Sequence, residues 1–143
     1  LETRYRKWLN EDVAYIIADE ERAAFQRLQT NEERDQFVRQ FWLRRDPTPG
    51  TPENEFKEEH YRRLAYANQR FASSVPGWKT DRGRIYIVYG PPDEIVSSPD
   101  VVRWRYRHID EIGDDIVFEF VDPNHLGEFR LTGPPPAKGP VKK

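Results

Sequence analysis

The chain has 143 residues, of which 36% are hydrophobic, 13% aromatic and 34% charged, the size and aromatic content of one folded domain rather than of a disordered segment. Lys and Arg total 23 against 25 Asp and Glu, a formal net charge of -2, so no global field draws in nucleic acid or an anionic membrane surface. The absence of cysteine excludes disulfides, thiolate metal sites and cysteine nucleophiles, and no apolar run approaches the roughly 18 residues of a membrane span.

From Glu2 to Ile17, Tyr5, Trp8, Leu9, Val13, Ile16 and Ile17 recur at near-helical spacing and predict an amphipathic first helix. Asp19 is expected to cap a short second helix that turns Ala24, Phe25 and Leu28 inward. Thr30 followed by Glu33 reads as a capping box for a third helix carrying Phe37, Val38, Phe41 and Trp42, and Arg44 and Arg45 suit its C-terminus, where the macrodipole favours cations. Two prolines in the stretch from Asp46 to Gly50 stop that helix, after which Thr51 and Pro52 are expected to open a fourth with Phe56, His60, Leu64, Ala67 and Phe71 as its inward stripe. His60, in register with that stripe, is expected as a core-edge histidine rather than a ligand or base.

Beyond Gly77 the hydrophobic period shortens from 3.6 to 2, predicting strands at Arg84 to Gly90, Val101 to His108, Ile116 to Val121 and Glu128 to Thr132. Short, turn-rich connections imply an antiparallel meander, so the expected fold class is α+β, with N-terminal helices on one face of a four-stranded sheet. Alternation places Ile85, Ile87, Tyr89, Val102, Trp104, Tyr106, Ile116, Phe118, Phe120, Phe129 and Leu131 on the covered face. It turns Tyr86, Val88, Arg103, Arg105, Arg107, Val117, Glu119, Val121, Glu128 and Arg130 outward. One domain is expected over residues 1–132, followed by a Pro/Gly/Lys-rich extended tail over 133–143; with no initial Met and no signal-peptide apolar region in its first residues, the chain is expected to be a mature or excised piece.

Phosphate-binding glycine loops, the G-x-S-x-G elbow and the H-E-x-x-H zinc motif are all absent. Asp110, Glu111, Asp114 and Asp115 lack the regular spacing of a calcium loop and read as a solvated turn. Asp93 and Glu94, after Pro91 and Pro92, read as a turn with a salt link to Arg44 or Arg45 rather than as an acid-base pair. No metal, cofactor or catalytic residue is expected. The most distinctive segment is Pro76-Gly77-Trp78-Lys79-Thr80-Asp81-Arg82-Gly83.

Gly77, Trp78, Thr80 and Asp81 reproduce the pattern of the GWxTD domain, a bacterial family, and the chain resembles it further at Phe41-Trp42, Arg45-Asp46-Pro47, Gly90 to Glu94, Trp104, Tyr106 and Phe118 to Pro123. The resemblance implies an exported protein longer than this segment and supplies no chemistry. The leading expectation is therefore a non-enzymatic interaction or scaffold module that meets a protein partner or other domains of its own polypeptide, with no nucleic acid and no membrane insertion. Its expected surface is Tyr86, Val88, Arg103, Arg105, Arg107, Val117, Glu119 and Val121, where apolar side chains interrupt a polar sheet face. The alternative is a small-ligand or carbohydrate site, or an enzyme of unfamiliar type, using Trp78, Thr80, Asp81 and Arg82 or the end formed by Arg44, Arg45 and Asp46.

Overall fold

A computed structural model describes residues 1–135; the expected tail lies mostly outside them. The chain divides into two compact units, Leu1–Leu64 and Ala65–Lys143. Four helices come first: α1 (Thr3–Lys7), which runs on into a wide π turn (Trp8–Asp12), then α2 (Asp19–Gln26), α3 (Asn31–Arg45) and α4 (Glu55–Arg70), which belongs to the second unit from Ala65 onward. A short 3-10 turn (Gly77–Lys79), α5 (Asp81–Tyr89) and the strands β1 (Glu94–Ser97), β2 (Val101–Ile109), β3 (Gly113–Val121) and β4 (Arg130–Leu131) complete the order.

In the first unit Tyr5, Trp8, Leu9, Val13, Ile17, Phe25, Phe41 and Trp42 form one buried cluster. Burying each large side chain contributes roughly 1.5–3 kcal/mol, so this aromatic cluster is what fixes the helices. Trp8 meets Phe41 edge-on at 5.1 Å between centroids, the geometry that ring quadrupoles favour. The capping box at α3 forms: the Glu33 amide donates to Thr30 Oγ1 at 3.2 Å, and the Thr30 amide donates to Glu33 Oε1 at 3.0 Å. Two other caps differ from expectation. At α2 the Ala18 amide, not that of Asp19, is satisfied, by Glu21 Oε1 at 3.0 Å. At α4 Asn54 replaces Thr51, its Oδ1 accepting from the Lys57 amide at 3.1 Å, because Thr51 is held in a turn by Thr48.

The second unit contains a single open antiparallel sheet in the order β1-β2-β3-β4, so the fold class is α+β with a four-stranded antiparallel sheet. Its first strand is not where the alternation predicts it. Residues 84–89 are helical, and β1 lies further on, after Pro91 and Pro92. The run Ile85-Tyr86-Ile87-Val88-Tyr89 has strand-like composition, yet Thr80 caps it as a helix and burial acts on several of its sides, with Ile85 and Ile87 almost fully enclosed. A helix apolar around most of its circumference shows no 3.6 period, and short apolar runs of this kind cannot be assigned by period alone. Within this unit α5 and the end of α4 cover the inner face: Tyr89 stacks on Phe118 at 5.5 Å, and Phe71 meets Trp104 at 5.6 Å. Register pairs Trp104 with Phe118 on that face, and Arg103 with Glu119 and Arg105 with Val117 on the other.

Candidate functional site

The segment from Gly77 to Arg82 is a helix start built by close backbone approach. A Cβ on Gly77 would lie 1.9 Å from the Ala67 carbonyl oxygen, and one on Gly83 would lie 1.8 Å from the Gly77 carbonyl oxygen, so both positions require glycine for space. Thr80 Oγ1 donates to the Gly77 carbonyl at 2.7 Å and accepts from the Gly83 amide at 3.0 Å, which satisfies one of the orphan donors of α5. The Trp78 amide donates to Asn68 Oδ1 at 2.9 Å, and its ring is buried at 8% exposure. Asp81 Oδ2 accepts from the Leu131 amide at 2.8 Å and so ties the first turn of α5 to β4, fifty residues away. Trp78, Thr80 and Asp81 are thus committed to holding α5 in place.

Arg82 differs from them. Its guanidinium carbon lies 5.0 Å from the Phe71 ring centroid and 4.7 Å from that of Phe129, between two aromatic faces. Burial pushes it below the usual arginine range, opposed by the negative field of Asp122. Asp122 Oδ1 and Oδ2 accept the Leu126 and Gly127 amides at 2.9 and 2.8 Å. Among the described residues no carboxylate reaches ion-pair distance of Arg82. The arginine lines a half-open pocket of about 230 Å³ with Phe71, Tyr86, Pro92, Ile95 and Trp104 on its walls.

Arg44, Arg45 and Asp46 are structurally committed as well. Both arginines close on Glu21, Arg44 at 2.8 Å and Arg45 at 2.7 Å, while the Arg45 guanidinium covers the Phe41 ring at 3.7 Å. Burial alone would raise the Glu21 carboxyl, but Arg45, the Ala18 amide and Arg44 outweigh it and bring it down to about 2. Asp46 accepts from the Thr48 amide at 2.9 Å and ends α3. Asp93 and Glu94, expected to link to Arg44 or Arg45, bond within their own unit: Asp93 Oδ2 accepts from the Arg107 amide at 2.7 Å, and Glu94 pairs with Arg105 at 2.8 Å.

The outward sheet face is a ladder of charges with apolar gaps. Arg103 pairs with Glu119 at 2.7 Å, and Arg105 also holds Asp115 at 2.5 Å. Tyr86 and Val88 do not belong to this face, since α5 carries them. Their place is taken by Val96 on β1, 61% exposed, which joins Val117 at 52%, while Val121 is half-buried. The acidic turn is consumed locally, Asp114 and Asp110 contacting His108 at 2.6 and 3.0 Å and raising its pKa. His60 is 4% exposed with its Nε2 2.6 Å from the Asp12 carbonyl oxygen, and burial lowers its pKa against that bond.

Sequence reasoning missed Asn68, Gly83 and Ile95. The signal for the first two was present in Thr80 followed at once by Asp81, a helix-start signature that the alternating residues after it obscured. No group of three or more histidine or acidic side chains among the described residues is placed to hold a metal ion, and no helix among them is long and apolar enough to cross a membrane. The family model of the GWxTD domain matches residues 2–131. Neither the curated proteins nor the solved structures contain a match.

Proposed function

The chain belongs to the GWxTD domain family, and from that premise we propose that it is a non-enzymatic interaction module of a larger exported bacterial protein, docking through the outward face of its sheet. The carrying observation is the pair Val96 and Val117, exposed apolar side chains set on one face around Arg103 and Arg105. A solvated antiparallel face is ordinarily uniformly polar, and apolar positions rimmed by charge are the composition of a contact surface. The edge position of β1 supports the same reading, since an edge strand presents backbone groups to which another chain can add. The burial of Trp78 and Thr80 favours the module over a site that would need them open.

The test is a photo-reactive side chain placed at Val96 or Val117 in the cell, with Leu43 on α3 as an exposed apolar control. Discrete adducts at 96 and 117 but not at 43, diminished by a lysine at the other of the two positions, are expected. No adduct at either position, or adducts equal to those at 43, overturns the docking face.

A further inference from the structure

The cavity beside α5 joins three features: an arginine with no carboxylate at ion-pair distance among the described residues, aromatic walls, and an opening along an edge strand. Arg82 enters it from the first turn of α5, Phe71 and Trp104 form its floor, and Ile95 of β1, 57% exposed, stands at its mouth. A partly desolvated cation costs stability unless an anion compensates it, and among the described residues Arg82 has only the two aromatic rings and the more distant charge of Asp122, while Thr80 and Asp81 secure the start of α5 without it. The charge lies within cation–π distance of Phe71 and Phe129, contacts that use none of the guanidinium N–H groups as hydrogen-bond donors.

We propose that this pocket binds a small carboxylate with an aromatic or apolar body, Arg82 pairing with the carboxylate and Phe71, Tyr86 and Trp104 packing on the ring. The volume of about 230 Å³ lies below the roughly 300 Å³ at which drug-sized pockets begin, and suits one ring rather than an extended ligand. Arginine presents a planar fork that matches a carboxylate, and its enclosure strengthens that bond relative to water. A free acid and the C-terminal residue of a peptide share this chemistry. The large open groove of the first unit is a weaker candidate, because its Arg4 and Asp35 already face each other at 3.6 Å.

The experiment titrates phenylacetate and phenylacetamide into the labelled protein and reads amide and indole shifts by NMR. Phenylacetate is expected to move Trp104, Tyr86 and Ile95 and to bind about tenfold or more tightly than the amide, the loss that removing a charge-assisted bond produces. Arg82→Gln should abolish that preference. Ile95→Trp, at an exposed edge position, should block both compounds while leaving Arg82 and the fold in place, so the reading survives an Arg82 variant that fails to fold. A tetrapeptide ending in Phe, with free or amidated C-terminus, separates the two sources: preference for the free peptide identifies a chain terminus, and binding of phenylacetate alone identifies a free acid. Equal binding of acid and amide, shifts elsewhere in the protein, or saturation unaffected by Ile95→Trp overturns the proposal.

Discussion

Asp81 acts twice at the start of α5, placing a negative charge in the first turn and accepting the Leu131 amide of β4. Asp81→Ala leaves that amide without its partner, so a loss of about 1–2 kcal/mol is expected in urea unfolding followed by tryptophan fluorescence. Asp81→Asn keeps the bond and should lose less than half as much; equal losses would assign the effect to charge alone. His60 and Glu21 both contribute to the acid response of the first unit, alongside Glu33, Glu55 and Glu59, whose hydrogen bonds and ion pairs also hold them below the usual carboxylate range. Burial lowers the His60 pKa from its ordinary 6.5, so below pH 6.5 the unfolded chain takes up a proton that the folded chain refuses, and stability falls with falling pH. Glu21, brought from 4.5 to about 2, contributes stability that is complete above pH 4.5 and is lost as pH falls toward 2. The melting temperature should decline from pH 6.5 downward and more steeply below 4.5. His60→Gln should flatten the upper part only; an unchanged profile would show that His60 is not the group responsible.

The elements divide by how their ends are secured. α3 is closed locally, by Thr30 and Glu33 at one end and Asp46 at the other. α5 depends on partners distant in sequence, Ala67 below Gly77 and Leu131 beyond Asp81. In the sheet, Arg103 and Glu119 face each other across β2 and β3 with half-exposed side chains, and such pairs gain little against solvent screening. A double-mutant cycle on Arg103→Ala and Glu119→Ala should give a coupling of about 0.2–1 kcal/mol, weakening with added salt. A coupling several times larger would mean that the ladder holds the sheet together, and would count against its service as the rim of a docking surface.

For the molecule as a whole the net charge is -2, and among the described residues the pairing of Arg103 and Arg105 with Glu119, Glu94 and Asp115 removes the basic stripe that phosphate backbones require from the outward sheet face. No retention of a mixed oligonucleotide panel is expected at physiological salt by fluorescence anisotropy. Tight binding that weakens steeply with salt would reverse this.

The residue order determined that the first unit is helical and where α3 begins, because the apolar stripes and the Thr30 box are local signals; it placed the end of the first helix at Ile17 rather than Asp12 and the caps of α2 and α4 on Asp19 and Thr51 rather than Ala18 and Asn54. It also determined the class, the antiparallel order and both faces of β2 and β3, where apolar side chains recur at every second position through Val102, Trp104 and Tyr106 and through Ile116, Phe118 and Phe120. Tertiary structure decided residues 84–89, where β-branched and aromatic side chains favour a strand and enclosure on several sides imposes a helix. Moving that segment out of the sheet shifted the first strand to Glu94–Ser97, replaced Tyr86 and Val88 by Val96 on the outer face, and opened the space beside Arg82. A cap and a strand propensity are each written over a few residues; which of them prevails depends on the surface that the rest of the chain presents, and that surface is not local.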